Sequence, residues 1–548
     1  MKTIGIPALL KSSGLRRMLD ALGGVLDVRF EERMLGDGIG IDAWILPEAG
    51  LDTLRSLAFS GRPSYAVIRK DQQVPCGTSS TIEFSGHSAL PPVLRGRQIR
   101  TDEAAGLTSL PHLDNVTVLA SKAAVPVWTM QEHEGCQHHC VASPIPELND
   151  GESLFQYFCG RRFMQLLPLI LFLRTLTEDQ GWEQPPLQAC FMFDDPNLHW
   201  RTYGFIDFNK IASHAQLHRY HACFATIPLD AWFVHKPTAL LFQRHRDRLS
   251  LLFHGNDHIA QELAKPYVEE EQKRNLQQAL GRISAFERRS GVEVSKVMVP
   301  PHGACIESAL GEMARLGFEA ACISKGSLRH YNGQAAWLRT FGMKPADIIG
   351  GLPVFPRFPL SGSCRNSILI AALLHQPIIA MGHHHDVAEG LHQFDDLAGF
   401  INSLGTVRWV DMKRISRAHY AQKLDGKDLL VRMFTRRIEV LVPERVRQLL
   451  LERPLLRGAG SAPFAWRLLS EGSEWKVQRP DEPISVLSGQ KIEIASEPPT
   501  ASLVDARNIR KPRLWPVVRR QLTEARDRLA PVLRRVSAFS VKPYKPEQ

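Results

Sequence analysis

The sequence has no apolar run long enough to cross a bilayer. The longest, "FMQLLPLILFL" (163–173), holds eleven residues and contains Pro168, whereas a spanning helix needs about twenty. It reads as a buried helix. No disulfide framework is legible either: the nine cysteines are scattered and odd in number, which points to a reducing compartment. The opening "MKTIGIPALLKSSGLRRML" lacks the build of a signal peptide, because serine, glycine and arginine soon break its short apolar stretch. The expected location is the cytoplasm, with the inner face of the membrane left open. No glycine-rich phosphate loop precedes a helix. "GDGIGID" (36–42) has the glycines without the strand–turn–helix context and reads as a turn. Net charge is also nearly absent from the body. The formal charge is +10, but residues from Arg507 onward hold twelve Lys/Arg against three Asp/Glu, a net of +9. Basicity therefore belongs to the tail and says little about the main chemistry.

What is present is a globular chain of 548 residues, long enough for two to four domains. Residues 1–150 alternate short apolar runs with helical stretches, as in an α/β layer. Residues 151–185 read as a helical connector. Eight strand-like pieces recur over 186–420, mostly with helices between them: "QACFMFDD" (188–195), "HACFATIPLD" (221–230), "LSLLFHGND" (249–257), "VSKVMVPPHG" (294–303), "FEAACISK" (318–325), "LPVFPRFPL" (352–360), "QPIIAMGHHHD" (376–386) and "TVRWVDMKRI" (406–415). That period fits a parallel βα barrel, in which functional side chains sit at the carboxyl ends of strands. Polar residues fall at those ends: Asp194, Asp195, Asp230, His254, His302, Arg357, His383 and His385. Residues 421–505 read as a small β module and 506–548 as a basic amphipathic tail.

Asp194 and Asp195 are the sharpest feature, since neighbouring carboxylates repel and are costly to bury. His254 follows a strand and His258 comes four residues later. His258 reads as lying in the first turn of a helix, and the spacing of four puts both imidazoles on one face. Two histidines and a carboxylate form an open three-ligand site for a divalent ion, and the cation relieves the repulsion of the carboxylate pair. One aspartate can ligate while the other accepts a proton from activated water. A lone HxxxH pair arises often by chance, and a lone Asp-Asp after a strand is commonly a cap. Their joint occurrence at strand ends of one segment gives them weight.

The ordered set DD, HxxxH, "PPHG" and "GHHHD" resembles the polysaccharide deacetylase superfamily, the family 4 carbohydrate esterases, over roughly residues 186–400. The resemblance implies a distorted (β/α) barrel, with Asp194 as general base and Asp195, His254 and His258 as metal ligands. The implied cofactor is a divalent metal ion, zinc first with other ions open. "VPPHG" (299–303) matches the family's Arg-x-Pro-Tyr segment, so Pro301, His302 and Gly303 would line the site and lend a backbone N–H to an oxyanion. Val299 and His302 stand where the family has arginine and tyrosine. Arg357, at another strand end, is the candidate to hold the base in the missing arginine's place. The family's general acid matches one of the late histidines, in the order His383, His385, His384. Strand alternation would put His383 and His385 on one side. The implied reaction removes the acyl group of an N-acetylated sugar or glycan precursor.

Other features carry less. "EHEGCQHHC" (132–140) is dense in ligand-type residues but lacks a matching second half, and we favour a histidine-rich loop over a zinc site. His214, His218 and His221 read as a solvated or packed helix face. The tail sets Leu514, Val518, Leu522, Leu529, Val532 and Val536 in a loose stripe with arginines opposite. Peripheral membrane contact and packing of the stripe on the protein's own body weigh equally. No nucleic acid is expected, since aromatics do not interleave with the basic residues. The competing functions are a non-catalytic glycan-binding or assembly scaffold with a vestigial site, an amidase acting on a non-sugar C–N bond, and a glycosidase. The glycosidase fits least, because it needs carboxylates set apart across a cleft.

Overall fold

The computed structural model describes the chain apart from residues 8–11, 36, 38, 54–60, 75–79, 101–107, 114, 159–161, 178–180, 334, 336–338, 362–363, 453–462, 471–473, 480–481, 498–513 and 541–548, and apart from the side chains of 535–540. In "GDGIGID", Gly36 and Gly38 thus lie outside the described residues, while Ile39 and Gly40 form a turn. The chain divides into two compact units. One comprises Met1–Glu183, Gly333–Lys344 and Arg365–His375, and the other holds the remainder. The segment 186–420 is therefore interrupted, and residues 151–183 group with the first unit rather than standing apart as a connector.

The first unit is an α/β layer on a nine-stranded sheet. Lys2–Pro7, Ala43–Ala49 and Ser64–Ile68 pair in parallel, as expected for strands separated by helical stretches. The apolar run 163–173 becomes a short 3-10 turn followed by the helix Leu167–Thr177. Pro168 is tolerated there because the first helical turn has no partner for its missing N–H. "EHEGCQHHC" is not a loop. Val125–His133 and Cys136–Val141 form an antiparallel hairpin, whose turn takes Glu134 and Gly135 at positive φ. His139 is buried there, accepts the indole N–H of Trp128 at Nδ1 (3.1 Å), and is pushed down to a pKa of about 3, first by burial and then by His138.

The second unit contains a curled, largely parallel sheet. From one margin its strands run Leu352–Pro356, Ala320–Ile323, Val294–Met298, Leu249–Phe253, Ala222–Thr226, Gln188–Asp194, Ile378–Gly382 and Phe358–Pro359. The strand at the first margin and the strand at the last belong to one stretch, Leu352–Pro359, broken only at Arg357. Its first half pairs in parallel with Ala320–Ile323 and its second half with Ile378–Gly382. The regular eight-stranded repeat is not reached. The eighth expected strand shrinks to Arg408–Trp409, and an antiparallel strand, Asp347–Ile349, joins the margin.

These strands form because their residues are apolar on both faces. All seven residues of Gln188–Asp194 are buried. Cys190 and Met192 join Cys223, Leu252, Val297 and Cys322 in one core cluster. Phe191 and Phe193 turn the other way, to Phe394 and Phe224. Alternation therefore sends Asp194 to the side of Cys190 and Met192.

Within the same unit, Tyr420–Asp425, Asp428–Met433, Gln448–Glu452 and Ile484–Ser485 form one four-stranded sheet. Arg437–Leu441, Phe464–Leu468, Lys476–Gln478 and Lys491–Ala495 form a second, and the two sheets share a core. An ion network ties this module to the curled sheet. Arg417 reaches Glu319 (2.7 Å), Glu439 (2.6 Å) and the fully buried Glu493 (3.0 Å), which also receives Arg437 and Arg467. No helix of the described residues is long and apolar enough to cross a membrane.

Candidate metal centre

Asp194 ends its strand, and Asp195 leaves it at φ 81°. A left-handed backbone at a non-glycine residue is strained and persists only where its surroundings hold it. The turn separates the two carboxylates. Asp194 stays buried and receives Arg357, whose Nη1 lies 2.7 Å from Oδ1 and 2.8 Å from Oδ2. Burial works to raise the Asp194 carboxyl, but Arg357, His254 and His383 together hold it below the usual carboxylate range.

Asp195 instead faces two imidazoles. Its Oδ1 is 3.1 Å from His258 Nε2 and 3.4 Å from His254 Nε2. Ligand-type atoms of these three residues all lie within 4.8 Å of one another, the one such group among the described residues. Here the pair's repulsion meets two opposite neighbours, an arginine for Asp194 and a histidine pair for Asp195. Burial again raises the Asp195 carboxyl, and the two histidines hold it well below its ordinary value.

The donor set fits a divalent cation. His254 Nδ1 lies 2.8 Å from the Val299 carbonyl, an acceptor only, so in the neutral ring Nδ1 carries the proton and Nε2 presents its lone pair toward Asp195. Asp195 Oδ1 is buried without a hydrogen-bond partner. A carboxylate oxygen and an imidazole lone pair facing each other call for a positive charge between them.

His258 does not arrive by helical spacing. No helix follows Leu249–Phe253 until Glu269, and His258 lies in the intervening loop at φ 55°. The loop is shaped by Glu262, a residue the sequence reading passed over. Its buried carboxylate accepts the backbone N–H groups of Asn256 (3.1 Å), Asp257 (2.8 Å) and His258 (3.1 Å). Gly255 is required at the bend. At φ +65°, a Cβ would sit 2.5 Å from Glu262 Oε2 and 2.6 Å from Pro301 Cγ.

The "PPHG" turn adds His302, also left-handed (φ 56°), with its ring 5.1 Å from that of His258. Burial, then His258 and His254, lower its pKa. Pro301 is buried, and the Gly303 N–H already bonds to the Pro300 carbonyl (3.0 Å). The side chain of Val299 packs in the core, while its carbonyl orients His254.

The late histidines separate differently from the expected alternation, because the strand stops at Gly382 and a 3-10 turn, His384–Val387, takes over. His383 is exposed at the strand end and its charge acts on Asp194. His385 is exposed, packs on His384 and Phe205, and has His384, Asp527, Arg526 and Asp386 as its charged neighbours. His384 is buried, with Nε2 3.5 Å from Asp527.

Asp527 belongs to a helix the sequence reading kept apart from the site, Leu514–Ser540. Its polar face turns inward. Buried Arg520 donates to Asp230 Oδ2 (2.7 Å), to the Asp195 carbonyl (3.0 Å) and to Tyr203 Oη (3.0 Å), and Tyr203 donates to Asp527 (2.9 Å). Arg519 donates to the His258 carbonyl (3.1 Å). Glu524 lies 3.1 Å from His199 Nδ1 and is pulled down to a pKa of about 2. Burial opposes that shift, and His199 and Arg528 outweigh it. The two strained residues Asp195 and His258 thus each have their carbonyl held by an arginine of this helix. Of the stripe, Leu514, Val518, Leu522, Leu529 and Val532 are exposed, and the Val536 side chain lies outside the described residues. The packing alternative is thereby reversed: Arg520, Glu524 and Asp527 pack inward and the apolar residues face out.

No family model matches the chain, and no curated protein matches it. Solved structures do match. A protein assigned as a polysaccharide deacetylase from Mycobacterium smegmatis is 13% identical, with 43% of this chain and 91% of that one covered, at a TM-score of 0.32. A family 4 carbohydrate esterase from Streptomyces lividans in complex with acetate is 11% identical (40% and 87% covered, TM-score 0.23). A pseudoenzyme of the same esterase family from Bacillus anthracis is 11% identical (40% and 62%, TM-score 0.25). At these values the likeness adds nothing to the chemistry, which stands on the site's own geometry.

Proposed function

We propose that the chain is a metal-dependent hydrolase that removes the acyl group from an N-acetylated sugar or polysaccharide precursor. One observation carries the reading: Asp195, His254 and His258 converge on a point beside a second, arginine-clamped aspartate. A divalent cation, zinc in the first place, held by these three residues would supply Lewis acidity toward water and toward the acyl carbonyl. Asp194, ionised and oriented by Arg357, accepts the proton of the attacking water. The backbone N–H of His302 faces the oxygen on which charge develops. His383, at the neighbouring strand end, protonates the leaving amine. Pro301 and Gly303 shape the wall behind it. The distorted (β/α) barrel belongs to the same proposal, with the stretch Leu352–Pro359 as its closing strand.

The test measures bound metal per chain and acetate release from N-acetylglucosamine oligomers for wild type, His254→Ala and Asp194→Asn. Near-stoichiometric metal in wild type and Asp194→Asn but not in His254→Ala, with release from wild type alone, is the expected result. Absence of metal in all three after reconstitution overturns it. Release from simple amides but not from acetylated sugars would replace the substrate class and leave the site standing.

A further inference from the structure

We propose that the outward face of the helix Leu514–Ser540, with the aromatic cluster beside it, is a docking surface for an anionic lipid bilayer. An amphipathic helix on a water-soluble body turns its apolar stripe to the core, and this helix does the reverse. Arg520, Glu524 and Asp527, each 6% exposed or less, recur at helical spacing against the body. Trp515 (70% exposed), Val518, Leu522 (65%), Leu529 (53%) and Val532 recur along the opposite face. The inward face is fixed by the ion pairs to Asp230 and His199, so the helix cannot roll to bury its stripe without breaking them.

The aromatics extend the surface. His199, bonded to Glu524, has its ring 5.2 Å from that of Trp232 and 5.8 Å from that of Phe233. Trp232 is 63% exposed, and Trp200, next to His199 in sequence, is 60% exposed. Exposed large apolar side chains grouped in this way mark interaction surfaces.

The charge around the stripe selects the occupant. Arg526, paired with Asp527, and Arg534, paired with the exposed Glu389, flank it with side chains 73% and 46% exposed, and the net charge of this segment stays positive. Tryptophan beside arginine along an apolar stripe is the composition of a helix lying in a membrane interface, where anionic headgroups meet the cations. A second copy fits less well. The segment 514–534 has five arginines against Glu524 and Asp527, so pairing two such faces would set like charges together.

The full-length protein is to be sedimented with vesicles of phosphatidylcholine alone and of phosphatidylcholine mixed with phosphatidylglycerol, beside the variant Leu522→Gln/Leu529→Gln. Neither leucine touches the metal centre, so metal content and thermal midpoint should match wild type. The expected result is binding to the anionic vesicles, weakened about tenfold or more in the variant by the loss of two buried apolar side chains. Failure of wild type to bind, or equal binding by the variant, overturns the proposal. So does sedimentation velocity showing a wild-type dimer that the variant lacks, which would give the face to a second copy.

Discussion

Arg357 Nη1 sits within 2.8 Å of both carboxylate oxygens of Asp194, and both residues are buried. The arginine comes from the break in the stretch that pairs with both margins of the sheet. Removing one member of a buried ion pair leaves the other uncompensated, at a cost of about 3–5 kcal/mol. Arg357→Ala should therefore lower the thermal midpoint markedly. Adding Asp194→Asn to that variant should recover part of the loss. Denaturant titration of the two single variants and the double variant measures the coupling, and simple additivity would show that the contact carries no energy.

Glu262 shapes the loop that brings His258 to Asp195. Glu262→Ala removes the acceptor of three backbone N–H groups while leaving every candidate ligand in place. Supporting residues of this kind are worth about 10–100-fold in metal affinity. Calorimetric titration with zinc should show a loss in that range, and unchanged affinity would mean that the loop holds its shape without the carboxylate.

Arg519 and Arg520 hold the carbonyls of His258 and Asp195. Arg519→Ala should weaken zinc binding with little change in global stability, since Arg519 is only partly buried. Arg520→Ala should do more, because Asp230 then keeps a buried charge without its partner. Comparing zinc affinity with thermal midpoint for each variant separates the two effects.

Glu493 is fully buried between Arg437, Arg417 and Arg467. Burial works to raise its pKa, but the three arginines bring it below the ordinary 4.5. A carboxylate depressed in the folded state adds stability above its unfolded pKa and loses it as pH falls through the folded value. The thermal midpoint should therefore drop as pH falls below about 4.5. Glu493→Gln should be less stable at neutral pH and show a flatter acid limb. Parallel limbs for the two proteins would place the acid sensitivity elsewhere.

The curled sheet was legible because its strands are runs of apolar residues such as "ACFMF", buried on both faces, each ending in a polar residue. Asp194, Asp195, His254 and His258 were legible as residue types at strand ends, and Arg357 as a cation at another. The path of His258 was not. A spacing of four suggests a helix, yet Gly255 and the carboxylate of Glu262 bend the backbone into a loop that reaches the same place. Nor was the role of the arginine-rich helix. Arg520 lies 325 residues beyond Asp195, and local periodicity shows that a helix has two faces without showing which one turns inward. That was decided by Asp230, His199 and Tyr203, buried polar groups that needed partners. The hairpin at 132–140 was missed because the Glu134–Gly135 turn was overshadowed by the ligand-type residues around it.

The stretch Leu352–Pro359 also bears on how the molecule comes into being. Contacts between residues far apart in sequence form late, since long loops must close first. Asp194 meets Arg357 across 163 residues, and they meet only when that stretch has engaged both margins. A chain with its earlier strands paired and this one still free would hold Asp194 at the end of an apolar strand without its counter-ion, where protonation is the cheaper state. Ionised Asp194 is thus a marker of completed assembly, and partly folded molecules would lack the charged carboxylate that the finished site presents.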